Sequence, residues 1–372
     1  MIKGLWVACL ATVLFGMHTV SAAERDAKQQ DKLQATVMSQ NLPLEKRIRA
    51  LKKLYADQLE NGKINRSFCV WDMLGKAGPV FAAVDDQKLR SLHYGLDLTI
   101  IAYQDEDSLI NDLTSGQCDA ALISGSRALS FNRFAGTLEA LGGIPDVQHL
   151  QMLMQVVASP KMADRLQEGD YVVLGVASLG ENYAYSGSKT LHKFAQMAGK
   201  DLVVPDSDVS LRALAGQLKA NARPGGLLTS VDQFVSGQAE AMLAPLVAYH
   251  VAGAGKAKQG MGIMNMPLSQ STIQLIGRSE RFPIGLAQIL REDFLFKFDN
   301  YVKRVEKERA NIPASFWIDV PAADQAREQA RLRDLRIALR DKGVYDPLML
   351  KLQRKIRCKV DSTRNECLNP VE

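Results

Sequence analysis

From Phe68 onward the chain alternates short apolar runs with amphipathic ones, and that alternation narrows the fold more than any other feature. FCVWD reads as a strand, AGPVFAAVDDQKL as a helix, LDLTIIAY as a strand, DEDSLINDLTSG as a helix and CDAALISG as a third strand. Strands separated by helices pair in parallel, and the helices then cover the faces of the sheet. The stretch SFCVWDMLGKAGP joins the first strand to the first helix through Gly75 and Gly78. Turns of this kind build small-molecule sites, because a helix N-terminus offers unpaired N–H groups. Asp105, Glu106 and Asp107 stand where the second helix begins. Negative charge is favoured there by the helix dipole, so they read as caps and not as paired catalytic carboxylates.

The pattern then repeats itself. SLINDLTSGQCDAAL at 108–122 is echoed by SVDQFVSGQAEAML at 230–243, each a helix stopped by Ser-Gly-Gln and followed by an acid, an alanine and an apolar strand. GKDLVVPDSD and SLRALAGQLKA precede the second copy as another strand, loop and helix. Two α/β lobes of similar design are therefore expected. After the linker VAGAGKAKQG, the stretch GIMNMPLSQSTIQLIGR is strand-like and interrupted by Pro267, as a strand passing between lobes would be. A helix around REDFLFKFDNYVKRVEKERA and an Arg-rich helix from Ala322 to Lys342 follow, the latter read as a solvated face because acids interleave with its arginines. Ahead of the alternating region, residues 23–64 form a helical segment in which PLEKRIRALKKLYADQL carries Ile48, Leu51 and Leu54 at helical spacing.

The first residues set the compartment. Lys3, the apolar run Gly4 to Phe15 and the small-x-small sequence Val20-Ser21-Ala22 are the parts of a secretory signal, so residues 1–22 read as a cleaved segment. No later run is long enough to span a bilayer, which leaves the processed chain without stable membrane insertion. A net charge of +5 is too small and too dispersed for a nucleic-acid binder. Past the signal the cysteines are Cys69, Cys118, Cys358 and Cys367, an even set in an exported chain, which points to disulfides. Cys358 and Cys367 are close enough for a local clip. Cys69 and Cys118 then pair by default, provided their strands are neighbours. No CxxC pair, HExxH or EF-hand loop supports a metal or cofactor. Ser186 and Lys189 fit S-x-x-K, without the K-T-G or S-D-N partners of a serine acylase, so a hydrolase is a remote alternative and the chain is read as not an enzyme.

At SGQCDAALISG, GDYVVLGVASLGENYAYSGSKTLHKFAQMAGKDLVVPDSD and VSGQAEAMLAPLVAYH the sequence resembles the periplasmic solute-binding proteins, in particular the extracytoplasmic receptors of TRAP-type transporters. The resemblance covers about residues 65–310. It implies a two-lobed periplasmic-binding-protein-like α/β fold with hinge strands, extra N- and C-terminal helices, and adjacent first and third strands that let Cys69 reach Cys118. The expected organisation is one lobe from 65–147 with 255–345, a second lobe from 148–254, and a disulfide-clipped tail from 346–372. It also implies a periplasmic protein that captures a small solute between its lobes and delivers it to a membrane permease. An envelope sensing or assembly protein on the same fold is the alternative. In TRAP receptors the strand after the helix carries an arginine that grips a substrate carboxylate. The matching position in GKDLVVP is Val203, which leaves Arg127 as the leading substitute, with Arg133 and Arg223 behind it.

Ligands of open α/β sheets bind beyond the carboxyl ends of the strands. That rule selects Trp71, Asp72 and Gly75 after the first strand, and Ser124, Gly125 and Arg127 after the third. In the second half it selects Gly180, Asn182 and Tyr183 after a glycine turn, then Asp206 and Ser207, and finally Pro245 and Tyr249. Asp208 reads as a helix cap.

Overall fold

A computed structural model describes residues 25–250, 253 and 260–372. The expected signal, residues 1–22, and most of the VAGAGKAKQG linker lie outside the described residues. The chain divides into two compact units, the smaller taking in the described residues up to Arg66 together with Asp86–Thr99, the larger Ser67–Asp85 and Ile100–Glu372.

In the smaller unit, helices run over residues 25–38, Leu44–Leu54 and Lys88–His93. Ile48 and Leu51 are buried at their helical spacing, and the Arg47 Nε donates to the Val37 carbonyl at 2.7 Å, joining two helices. AGPVFAAVDDQKL is not one helix but two, Pro79–Asp85 and Lys88–His93.

The described strands are β1 (Ile64–Trp71), β2 (Leu96–Tyr103), β3 (Ala120–Ser124), β4 (Gln167–Glu168), β5 (Tyr171–Ser186), β6 (Asp201–Pro205), β7 (Asn221–Gly225), β8 (Ala241–Pro245), β9 (Gly262–Met264), β10 (Ser269–Arg278) and β11 (Trp317–Ile318). Eight of them hydrogen-bond in the order β2-β1-β3-β10-β5-β8-β6-β7. β1 and β3 are parallel, as are β6, β7 and β8. Between these two sets run the antiparallel strands β5 and β10. β10 pairs with β3 through Ile273–Gly277, and β5 pairs with β8 through Asn182–Ser186, so these two strands connect the halves of the sheet.

Three departures from the sequence reading have physical causes. The strand expected to end at a glycine turn instead continues for 16 residues as β5. Gly180, at φ +88°, supplies a bulge within it: pairing with β10 steps from Ser178 to Gly180, and Leu179 is the extra residue. β7 was not foreseen because NARPG has no β-branched or large apolar residue and contains Pro224, which a sheet accepts at its edge. The helix expected around REDFLFKFDNYVKRVEKERA is a pair, Ile284–Phe296 and Phe298–Ala310, parted at Lys297.

Cys69 in β1 is bonded to Cys118, which precedes β3, with their Cα atoms 6.0 Å apart and Cys69 in register with Ala121. Cys358 is bonded to Cys367, tying the helix Pro347–Val360 to Asn365–Leu368. The solvated reading of the Arg-rich helix fails for Arg336. Arg336 is buried, donating to the Leu141 carbonyl and pairing with Glu372 at 2.6 Å. Arg357 is also buried, between Glu366 at 2.6 Å and Glu372 at 2.7 Å. A charge removed from water survives only with such partners.

Candidate functional site

The carboxyl ends of both parallel sets converge on one cavity of about 290 Å³. Trp71 and Asp72 follow β1, Ser124 to Arg127 follow β3, Pro205 to Asp208 follow β6, and Pro245 and Val247 follow β8. The antiparallel strands supply Ser271, Thr272 and Ile273 from β10, with Leu179 and Asn182 from β5. The bulge at Leu179 thus does more than bend a strand, since it turns an apolar side chain into the cavity. Met73, Leu227 and Leu228 add to the apolar wall around Trp71. The two sides touch where the Ser126 and Ser207 hydroxyls lie 3.1 Å apart, and Ser124 Oγ extends this chain at 3.3 Å.

Carboxylates dominate the polar part. Asp72 is buried and fully engaged: Oδ1 accepts from Leu74 N at 2.9 Å, and Oδ2 from Val80 N at 2.7 Å and Phe81 N at 3.1 Å. It therefore caps the helix Pro79–Asp85 from a distance. Gly78 is the residue that makes room, because a Cβ there would sit 1.8 Å from Asp72 Oδ1. Asp208 caps Val209–Gln217 by accepting from Ser210 N and Leu211 N, both at 2.9 Å. Asp105 caps Glu106–Ser115 through Ser108 N. Glu106, one residue on, reaches across to Ser124 N at 2.6 Å. Glu139 lies half-buried, its Oε1 accepting from the Thr272 backbone N–H and, at 2.8 Å, from the Thr272 hydroxyl. Gly125 permits that approach, since a Cβ there would meet Glu139 Oε1 at 2.1 Å.

Burial has pushed the Glu139 carboxyl up to about 8, with the Asp208 charge adding to the effect. Asp208 and Glu106 are likewise raised, chiefly by burial. Taking a carboxylate out of water penalises its charged form, and a neighbouring carboxylate penalises it again.

Of the residues selected from sequence, Trp71, Asp72, Ser124, Gly125, Arg127, Asn182, Asp206 and Ser207 line the cavity. Gly75, Tyr183 and Tyr249 do not. Gly75 is buried at φ +58° under the Gln104 side chain, forming the turn alone. Tyr183 follows Asn182 on the same strand and so faces the opposite side of the sheet, where its hydroxyl accepts from Arg309 at 2.5 Å and its ring meets Trp317. Tyr249 packs edge-on against Phe316, and Val247 takes the place facing the cavity. Asn182 donates to Ser269 Oγ at 3.0 Å and so braces β5 against β10.

The arginine candidates separate just as clearly. Val203 is wholly buried in an apolar cluster with Tyr185, Val231, Phe234 and Met242 and does not line the cavity. Arg223 pairs with Asp201 at 2.5 Å outside the cavity, and the Arg133 Nη1 donates to the Gly343 carbonyl, also outside it. Arg127 is inside and partly engaged: Nη2 lies 2.6 Å from Asp107 Oδ1, while Nε, 3.9 Å from Glu106 Oε2, is buried without a hydrogen-bond partner among the described residues. Arg304, which no sequence pattern indicated, reaches the cavity while its Nε donates to Glu308 at 3.0 Å. The S-x-x-K pair lacks hydrolase geometry, since Ser186 Oγ donates to the Ser188 carbonyl at 2.7 Å and Lys189 Nζ to the Ser315 carbonyl at 2.7 Å.

Comparison with known proteins agrees with this architecture. Solved TRAP periplasmic solute-binding proteins share the fold: one from Desulfovibrio salexigens with bound orotic acid has a TM-score of 0.67 at 11% identity, over 80% of this chain and 100% of that one. Another, from Pseudomonas aeruginosa with bound L-malate, has a TM-score of 0.60 at 11% identity, over 73% of this chain and 98% of that one. A third, from Roseobacter denitrificans with bound β-D-glucuronate, has a TM-score of 0.62 at 14% identity, over 78% and 98%. The fold is thus the two-lobed α/β fold of these receptors. Probable solute-binding protein AdeT1 of Acinetobacter baumannii is 30% identical over 305 residues, 80% of this chain and 98% of the relative. Residues 50–370 match the family model described as solute-binding protein AdeT 1/2, and the chain belongs to that family of solute-binding proteins.

Proposed function

We propose that this solute-binding protein takes up one small molecule in the cavity lined by Trp71, Ser126, Ser207 and Thr272 and delivers it to a membrane permease from the periplasm, after removal of residues 1–22. The observation that carries the reading is the convergence of strand ends from both parallel sets on one cleft, with Ser126 and Ser207 in contact across it. Among the described residues no helix is long and apolar enough to cross a membrane, in keeping with a carrier that works beside a permease. In this reading residues 65–147 with 255–345 form one lobe and 148–254 the other. β5 and β10 flex as the hinge, and Trp71, Asp72, Ser124, Gly125, Arg127, Asn182, Asp206 and Ser207 contact the solute or its waters.

A thermal-shift screen on protein unfolded and refolded to strip any bound compound tests this reading. A solute at 100 times its Kd should stabilise the folded chain by ~2.7 kcal/mol. Absence of a shift across amino acids, organic acids, amines, sugars and nucleosides would contradict it.

A further inference from the structure

The solved relatives above hold carboxylates, yet this cavity is built against them. Seven carboxylates and two arginines line it, and no lysine. Asp72, Glu106, Glu139 and Asp208 are set into the wall, while Asp105, Asp107 and Asp206 stand at its margin. Both arginines already have acidic partners in the chain, Arg127 in Asp107 and Arg304 in Glu308. An entering carboxylate would meet an excess of acidic side chains and would compete with Asp107 for Arg127, whose Nε is buried without a hydrogen-bond partner among the described residues and lies 3.9 Å from Glu106 Oε2.

From this arrangement, and resting on the reading of the cavity as the solute site, we infer that the solute is an organic cation: an amine or ammonium group on an apolar body. The carboxylates offer places for the charge. Both bonds of Glu139 fall on Oε1, leaving Oε2 as an acceptor for an ammonium group, whose charge would draw off the proton that Glu139 otherwise holds, and the Asp206 side chain makes no hydrogen bond or ion pair among the described residues. The apolar body finds Trp71, Met73, Leu179, Leu227, Leu228 and Ile273, and an indole face also attracts cations. A bare metal ion fits less well, since among the described residues no three His, Cys, Asp or Glu side chains are grouped to hold one. The raised affinity of Glu139, Asp208 and Glu106 for protons comes chiefly from burial, with the Asp208 charge adding to it at Glu139, and a cation seated among them would oppose it.

The test is calorimetric titration of the refolded full chain with matched triplets, in which one body carries an ammonium, a hydroxyl or a carboxylate: phenethylamine, 2-phenylethanol and 3-phenylpropanoate, and the hexyl and cyclohexylmethyl equivalents. The amine should bind at least about tenfold more tightly than the carboxylate on the same body, and added NaCl should weaken it. Asp206→Asn, an exposed change that leaves the fold alone, should weaken amine binding about two- to fivefold and leave the alcohol unchanged. A carboxylate that binds as tightly as its amine would overturn the inference while leaving solute capture standing, as would an alcohol equal to its amine. Silence from every triplet and from the thermal-shift screen would overturn the capture reading and this inference together.

Discussion

Glu139→Gln should make the protein more stable, and by an amount that grows with pH. The folded carboxyl holds its proton up to about 8 against an ordinary value of 4.5, because it is removed from water beside Asp208 and Glu106, with only Thr272 donating to it. A carboxyl whose folded value is raised contributes its full stability below its unfolded value and loses it as pH climbs toward the folded value. Each pH unit in that window costs about 1.4 kcal/mol, so by pH 7 the wild type has given up about 3 kcal/mol. Glutamine keeps the shape and keeps Oε1 as acceptor for both Thr272 donors, but does not ionise. Urea unfolding of the two proteins should therefore give equal free energies near pH 4.5, a gap of about 1 kcal/mol near pH 5.5, and about 3 kcal/mol near pH 7. A gap that stays constant across this range, or a less stable variant at pH 7, would refute the reasoning. The same variant should bind amines more weakly, the ordinary exchange of stability for function at a charged site.

Opening the Cys69–Cys118 bridge by Cys69→Ser with Cys118→Ser frees a loop closed over 49 residues, and should cost about 4 kcal/mol in urea unfolding under non-reducing conditions. No loss would mean that the bridge does not form. Gly78→Ala should destabilise by about 1–3 kcal/mol, because its Cβ would displace the Asp72 carboxylate from Val80 N and Phe81 N; scanning calorimetry that finds no loss would show that the cap is dispensable. Arg357→Ala removes the buried guanidinium that joins Glu366 to Glu372, leaving Arg364 and Arg336 as their remaining partners, and should cost about 3 kcal/mol, measured the same way.

The parts of this fold written in local pattern were legible. Helix–Gly–strand repeats located both parallel sets, and the carboxyl-end rule found Trp71, Ser124, Arg127 and Ser207. What the sequence hid depends on partners far along the chain. Glu139 sits in a short turn, Thr137–Glu139, with no motif around it, and becomes a site residue only because β10 brings Thr272 alongside. Glu106 looked like one more first-turn acid until Ser124 and Arg127 arrived beside it. Tyr183 was misplaced by one position in a period-two strand, which is enough to move a side chain to the other face. Gly180 was misread because a turn and a bulge ask for the same positive φ. Arg336 looks like any surface arginine in a helix rich in acids, Arg357 lies in a basic helix without any, and only Glu366 and Glu372 make their burial tolerable.

Native mass spectrometry of the protein purified without denaturation, alongside Ser126→Trp, addresses solute capture most directly. Ser126 faces Ser207 across the cavity, so an indole at this position fills the space a solute would take. The account predicts one small compound per wild-type chain and none on the variant, with both chains folded. A compound retained equally by Ser126→Trp, or a wild-type chain that is empty and stays empty when the purified protein is incubated with extract of its own cells, would contradict it.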